Sequence, residues 1–251
     1  MDLGVKGKRV LITGGTRGIG KAITEIFVTE QAKVGIVARN KSELLKVHDD
    51  LGVQIYEKDL SKANDRKNLM TEFITCNNGI DILINNVGAS HGGSIINTHY
   101  GIFEEAMQLN FISAVHLSQL AIQNMKVNQE GTIVNISSIY GREAGGNPTY
   151  NASKAALISF TKSLSKEAIK DNIRVNGIAP GAIFHLNEVW KKRIETDPQY
   201  LEKYAKERIP AGRLGNPEEI ANVVAFLASN KSSWIVGATI NVDGGQSHLN
   251  F

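Results

Sequence analysis

Tyr150 and Lys154 stand four residues apart in the run Pro148-Thr-Tyr-Asn-Ala-Ser-Lys-Ala-Ala. On an α-helix that interval is about one turn, a rise of ~6 Å, so both side chains emerge on one face. A phenol with a pKa near ~10 is a poor proton donor or acceptor at neutral pH, and an ammonium held beside it favours the phenolate. The pair is therefore a candidate acid–base couple for a carbonyl or an alcohol. Tyr and Lys also meet at this spacing on solvated helices, so the elements around the pair decide its meaning.

Near the N-terminus, Arg9-Val-Leu-Ile-Thr reads as a short buried strand. It runs into Gly14-Gly15-Thr16-Arg17-Gly18-Ile19-Gly20 and then an amphipathic stretch, Lys21-Ala-Ile-Thr-Glu-Ile-Phe-Val. Strand, glycine turn and helix together present free backbone N–H groups and a positive helix end to a pyrophosphate. Gly14 allows the tight turn, Gly18 lets phosphates approach the backbone, and Gly20 lets the helix sit close on the strand. The spacing is T-G-x-x-x-G-x-G rather than the commoner G-x-G-x-x-G.

Further along, short apolar runs alternate with helix-length segments. Expected strands are Val10–Thr13, Val34–Ala38, Val53–Tyr56, Ile82–Asn85, Thr132–Ile136, Arg174–Ala179 and Thr239–Val242, with long helices near Ile102–Asn124 and Thr149–Lys170. That alternation predicts a parallel sheet of about seven strands with helices on both faces, its ligand beyond the strand C-termini where strand order reverses. An irregular insertion, residues 182–210, precedes the helix start Asn216-Pro217-Glu218-Glu219 and reads as helices over the cleft, a substrate lid.

These landmarks resemble the classical short-chain dehydrogenase/reductase family over nearly the whole chain, and within it the NADP-preferring carbonyl and 3-oxoacyl reductases. The residues that carry the likeness are Thr13 to Gly20, Asp59-Leu60, Asn85-Asn86-Val87-Gly88, Asn110, Ser137-Ser138, Tyr150 to Lys154, Pro180-Gly181 and Val242-Asp243-Gly244-Gly245. The resemblance implies a single Rossmann-fold domain over residues 1–251. Residues 1–100 would form mainly the cofactor-binding half and residues 101–251 the catalytic and substrate half. It further implies a homotetramer.

By the same resemblance, Gly14, Thr16, Arg17, Gly18, Ile19, Gly20, Leu60, Asn86, Val87, Gly88, Pro180, Gly181 and Ile183 would hold the cofactor. Asp59 would hold the adenine amino group, with Asn85 near the adenosine ribose. Valine at 87 replaces the family's usual alanine. Where an NAD enzyme needs an acidic residue after the second strand, this chain has Ala38 and Arg39. Arg39 with Arg17 could clamp a 2′-phosphate, so NADP(H) is expected over NAD(H).

Asn110, Ser138, Tyr150 and Lys154 match the family's catalytic set. Ser138 would orient the substrate oxygen, Ser137 being its structural neighbour. Tyr150 would exchange the proton, and Lys154 would keep it acidic and hold the nicotinamide ribose. Asn110 is unfavourable inside a helix; it implies a capped kink, a water relay to Lys154, or both. The Ser138-to-Tyr150 interval is twelve, one shorter than in many relatives. His185 stands where the family commonly has a carboxamide-binding threonine, and it faces cofactor, substrate or the surface. Ser90, His91, Tyr140, Glu143, Asn147, His185, Leu186 and Trp190 would line the substrate end, a polar mixture suited to a small polar ketone or secondary alcohol. The 3-oxoacyl-[acyl-carrier-protein] reductase alternative is weakened by Gln129-Glu130 and Asp171-Asn172, where arginines would dock an acidic carrier, although Lys126 or Lys170 could serve instead. A non-catalytic NADP(H)-sensing interaction protein on the same fold is the rival from another class; the intact catalytic set speaks against it.

Composition narrows the remaining classes. With 42% apolar and 21% charged residues, the 251-residue chain can build a full core. No apolar run approaches ~18 residues, so no membrane partner is expected. The first strand begins almost at once, leaving no room for a signal peptide. One cysteine, Cys76, excludes an internal disulfide and fits a reducing, cytoplasmic location. A net charge of +3 gives no footprint for nucleic acid. The six histidines show no metal-ligand spacing.

Overall fold

The computed structural model describes residues 2–184, 195–197 and 199–249. The expected strands form one all-parallel sheet: β1 (Arg9–Thr13), β2 (Lys33–Ala38), β3 (Gln54–Glu57), β4 (Ile82–Asn85), β5 (Gly131–Ile136), β6 (Ile173–Pro180) and β7 (Thr239–Val242). Their order is β3-β2-β1-β4-β5-β6-β7. The direction of winding reverses between β1 and β4, and the crevice opens there at the strand C-termini.

The central strands β1 and β4 are apolar on both faces because helices cover both. Val10 and Ile12 of β1 pack with Ile36, Ile84, Val134 and Ile178 under α1 (Gly18–Thr29), with α2 (Lys41–Leu51) over β2 and β3 and the helix Pro217–Ala228 over β5 and β6. Leu11, between them in sequence, points the other way and joins Leu83, Ile133 and Val175 under α3 (Ala63–Asn77). Phe73 of α3 is fully buried against Gly35 of β2, where an added Cβ would lie 2.7 Å from its ring. Truncating such a buried phenylalanine to alanine costs about 3–5 kcal/mol. Cys76 is exposed near the end of α3.

The helix expected from Ile102 to Asn124 runs further at both ends. It comprises α4 (Tyr100–Met107), a π-helical turn (Gln108–Ile112) and α5 (Ser113–Asn128). Asn110 lies inside the π turn, which is the form the expected kink takes. The catalytic-side helix α6 (Pro148–Ala168) begins on a proline and buries Ser153, Lys154, Leu157, Thr161, Ser165 and Ala168. Steps of three and four put this stripe on one face, and its small residues bring the helix close to β5 and β6. Thr161 accepts from Asn135 Nδ2 at 2.9 Å and donates to the Leu157 carbonyl at 2.7 Å, so the buried polar atoms are paired.

After β6 the described residues include α7 (Tyr200–Arg208) and α8 (Pro217–Ala228). α8 starts as expected on Asn216-Pro217, with Glu219 accepting from the Asn216 amide at 2.8 Å and pairing with Arg213. Part of the expected 182–210 lid, residues 185–194 and 198, lies outside the described residues.

Candidate active site

Thr13, the last residue of β1, organises the first wall of the crevice. Its hydroxyl donates to the Ile84 carbonyl at 3.2 Å and accepts from the amides of Asn86 at 2.8 Å and Val87 at 3.0 Å. Asn86 returns its side-chain amide to the carbonyls of Thr13 and Gly14, at 2.9 and 3.2 Å. The exits of β1 and β4 are thereby tied into one rigid edge. Gly14 and Gly18 have φ of +69° and +53°, a region that favours glycine. At Gly20 the reason is space: a Cβ would overlap the Gly14 carbonyl oxygen and lie 2.6 Å from Asn86 Nδ2. Arg17 precedes α1 in extended conformation with no side-chain cap. The first N–H groups of α1 are left for an anion.

A cleft of about 880 Å³ runs from this turn to the far side of the sheet. Gly14, Thr16, Arg17, Gly18, Ile19, Gly20, Arg39, Leu60, Asn86, Val87, Gly88, Ser90, Ser138, Tyr150, Lys154, Pro180, Gly181 and Ile183 line it, all expected from sequence. Val87 is accommodated beside Gly14 without closing the cleft. Asn40, Glu43, Lys58 and Leu109 line it too and were not expected. Asn40 and Lys58 flank Arg39 and Asp59 in sequence and were there to be noticed. Leu109 reaches the cleft from the π turn, which a 3.6-residue period does not show.

At the first end Arg17 and Arg39 are both exposed. Thr16 donates to the Glu43 carboxylate at 2.9 Å, and Lys58 is paired with Glu72 at 2.7 Å. Asp59 stands beside the cleft, next to Leu60 that lines it. Its carboxylate accepts from the Ser61 amide at 3.0 Å and the Ser61 hydroxyl at 2.8 Å, and it does not line the cleft. Burial works to raise the Asp59 carboxyl; the Ser61 hydrogen bonds, with Lys62 and Arg39 nearby, outweigh it and hold it below its ordinary value. Asn85 ends β4 as expected. It is buried in the sheet, opposite Asn135 on β5, donating to Asn135 Oδ1 at 2.9 Å and Ser118 Oγ at 3.1 Å.

At the other end, the loop leaving β5 is pinned to α6. Ser137 donates to the Lys154 carbonyl at 3.0 Å. Gly141 permits the contact, since a Cβ there would lie 2.8 Å from that same carbonyl oxygen. Ser138 accepts from the Tyr140 amide at 3.2 Å, and its side chain lies close enough to the Tyr150 phenol to favour the ionised form. Lys154 is 2% exposed and donates from Nζ to the Ile136 carbonyl at 2.7 Å. Its Nζ stands 5.5 Å from the centre of the Tyr150 ring.

Burial dominates the acidity of the pair. Burial pushes the Tyr150 phenol up to about 12, against the opposing pull of the Ser138 side chain. Burial also pushes the Lys154 ammonium down to about 8. The lysine is directed at a backbone carbonyl and the ring face rather than at the phenol oxygen, so desolvation governs both groups.

Asn110, 1% exposed, lies behind the cleft rather than in it. Its amide donates to the Ala89 carbonyl at 2.9 Å and Ser153 Oγ at 3.0 Å, and its oxygen accepts from the Ala89 amide at 2.8 Å. It clamps the loop after β4 onto α6. Of the expected substrate residues, His91, Tyr140, Glu143 and Asn147 do not line the cleft. The His91 carbonyl takes the Thr149 hydroxyl at 2.7 Å, and the Asn147 carbonyl takes the Asn151 amide at 3.0 Å at the start of α6. The Glu143 carboxylate accepts from the His248 amide at 3.0 Å. His185, Leu186 and Trp190 lie outside the described residues. Among the described residues no helix is long and apolar enough to cross a membrane, and no cluster of ligands could hold a metal.

A strand-order reversal beneath a glycine turn, with Ser, Tyr and Lys converging at the far end, defines a dinucleotide-dependent oxidoreductase. The chain belongs to the short-chain dehydrogenase/reductase family: the family model described as enoyl-(acyl carrier protein) reductase matches residues 14–247. Such enzymes interconvert C=O and CH–OH groups with a nicotinamide cofactor. The chain is 36% identical to 3-oxoacyl-[acyl-carrier-protein] reductase FabG of Aquifex aeolicus (strain VF5), over 98% of this chain and 99% of that protein. It is 37% identical to a tropinone reductase homolog of Arabidopsis thaliana, over 95% and 92%. Its fold superposes on L-sorbose reductase from Gluconobacter frateurii, solved with NADPH and L-sorbose, with a TM-score of 0.94, 33% identity and 99% and 100% coverage.

Proposed function

We propose that this enzyme interconverts a small polar ketone and its secondary alcohol with NADP(H), using Tyr150 as the acid–base group. The observation that carries the reading is the meeting of Ser138, Tyr150 and buried Lys154 at one end of a cleft whose other end presents Arg17 and Arg39. The cleft fits a dinucleotide. Gly14 and Gly20 leave the space that a Cβ would fill, and the uncapped start of α1 faces it. Gly14, Thr16 to Gly20, Leu60 and Asn86 to Gly88 would hold that group, and Arg17 and Arg39 a 2′-phosphate. When bound, the nicotinamide supplies the hydride in reduction and accepts it in oxidation.

Ser138 and Tyr150 donate hydrogen bonds to the substrate oxygen and stabilise its developing negative charge. Tyr150, protonated at neutral pH with its phenol near about 12, is in the state reduction needs and transfers that proton to the oxygen. Lys154, its ammonium over the face of the Tyr150 ring, stabilises the negative charge left on the phenol by its field. Asn110 acts by fixing the Ala89 loop against α6.

A 3-oxoacyl-[acyl-carrier-protein] reductase is the second reading, favoured by the identity to FabG. Against it, Lys126, a possible docking lysine, is neutralised by Asp171 at 2.9 Å, and Glu130 is paired with Lys8. NADPH oxidation by the purified protein should be measured against ketoses, diketones and 3-oxoacyl thioesters. Turnover of the polar ketones is the expected result. Preferential turnover of the thioesters supports the second reading, and NADPH binding without turnover on any of them supports a cofactor sensor. The same proposal carries a homotetramer and a cytoplasmic location, checked by sedimentation and by fractionation.

A further inference from the structure

Asn-x-x-Glu stands at the start of two helices, and the two glutamates are put to different use. At α8, Glu219 turns back to its own helix start and accepts from the Asn216 amide at 2.8 Å. At α2, Asn40 caps alone, its side-chain oxygen accepting from the amides of Ser42 at 3.0 Å and Glu43 at 3.3 Å. The Glu43 carboxylate turns to the glycine turn instead, where it accepts from the Thr16 hydroxyl at 2.9 Å. Capping therefore does not account for an acid at this position.

Glu43 stands in the wall of the cleft. Among the described residues that line it, Glu43 is the one acid, and it lies at the end where Arg17 and Arg39 are exposed. Its hydrogen-bond partners, the Thr16 hydroxyl and the Asn40 side-chain amide at 3.4 Å, carry no charge to neutralise it. Lys58, also in the wall, is already paired with Glu72 at 2.7 Å. The Thr16 bond keeps the carboxylate beside the turn instead of letting it swing into solvent. Two arginines and one carboxylate thus share the end of the cleft that would meet the adenosine ribose.

We propose that Glu43 is a cofactor-specificity residue: its carboxylate repels the 2′-phosphate that Arg17 and Arg39 attract, and so narrows the gap between NADP(H) and NAD(H). Both dinucleotides bring the same pyrophosphate, whose repulsion cancels when the two are compared. Only NADP(H) adds a phosphate monoester, which carries nearly two negative charges at neutral pH. Discrimination is a difference of affinities, and a repulsive element sets it as surely as an attractive one. The inference rests on the NADP(H)-dependent oxidoreductase reading above and concerns how its cofactor end selects.

The test is the affinity of the full chain for NADPH and for NADH, by fluorescence titration, in wild type, Glu43→Gln and Glu43→Asp. Glutamine keeps an oxygen for the Thr16 hydroxyl and loses the charge. The ratio of NADPH to NADH affinity should then rise about threefold to tenfold at low salt, the scale of a charge contact near a wet surface. At ~0.5 M salt that gain should fall below about twofold, because screening acts on charge and not on packing. Aspartate keeps the charge on a shorter stem and should leave the ratio within about twofold of wild type. An unchanged ratio in Glu43→Gln, a gain that salt does not reduce, or an equal shift in Glu43→Asp overturns the proposal and leaves the oxidoreductase reading standing. A wild type that binds neither dinucleotide overturns both.

Discussion

Replacing Lys154 by methionine keeps an unbranched side chain in the same buried slot and removes the ammonium. In the folded chain burial lowers that ammonium from 10.5 to about 8. Below pH ~8 both folded and unfolded chains carry the proton, and folding bears the full cost of dehydrating it. Between about 8 and 10.5 the unfolded chain still binds the proton and the folded chain does not, so stability rises with pH. At about 1.4 kcal/mol for each pH unit, the full rise is about 3 kcal/mol, of which about 2 falls between pH 7 and 9.5. Above pH ~10 the Tyr150 phenol opposes the trend: raised to about 12, it keeps its proton when folded, and stability falls as the unfolded phenol ionises. Urea unfolding of wild type and Lys154→Met at intervals from pH 7 to 9.5 isolates the lysine. The methionine leaves the Ile136 carbonyl without its 2.7 Å donor, a cost of about 1–3 kcal/mol that does not vary with pH. The slopes therefore carry the information. Wild type should gain about 2 kcal/mol relative to the variant across this range; parallel curves would refute a desolvated lysine at this position.

Three further outcomes follow from the geometry. Gly20→Ala drives a Cβ into the Gly14 carbonyl and to within 2.6 Å of Asn86 Nδ2; about 3 kcal/mol of stability should be lost by thermal unfolding, with NADPH affinity down by ~100-fold or more. Affinity unchanged by calorimetry would show that the turn does not hold the cofactor. Arg39→Asp should weaken NADPH binding at least ~tenfold more than NADH binding by fluorescence titration, because the substituted carboxylate repels a 2′-phosphate; equal losses would contradict the role given to Arg39. Asn110→Ala severs three buried hydrogen bonds to Ala89 and Ser153 and should cost about 2–3 kcal/mol, lowering Tm by roughly 5–10 °C.

The sheet was legible because its central strands β1 and β4 are buried on both faces and read as short unbroken apolar runs, Val10-Leu-Ile and Ile82-Leu-Ile. Glycine and proline marked the turns with equal clarity. The cleft floor followed, since Tyr150 and Lys154 obey the helical interval. What sequence could not show is where a polar side chain spends its hydrogen bonds. Asp59 is consumed by Ser61, Asn85 by Asn135, and Glu143 by the His248 amide more than a hundred residues away. Nor could the interval between Tyr150 and Lys154 show that desolvation outweighs their mutual charge. Leu109 was hidden by the π turn, which shifts one residue of an otherwise regular helical stripe.

The most direct test of the central claim is label transfer. The purified protein is incubated with a polar ketone and NADPH carrying deuterium on the nicotinamide C4, and the alcohol is analysed by mass spectrometry. Wild type should place one deuterium on the former carbonyl carbon, while Tyr150→Phe should bind NADPH with unchanged affinity and lose at least ~1,000-fold in rate. Transfer at an undiminished rate in the phenylalanine variant would contradict the assignment of Tyr150 as the proton donor.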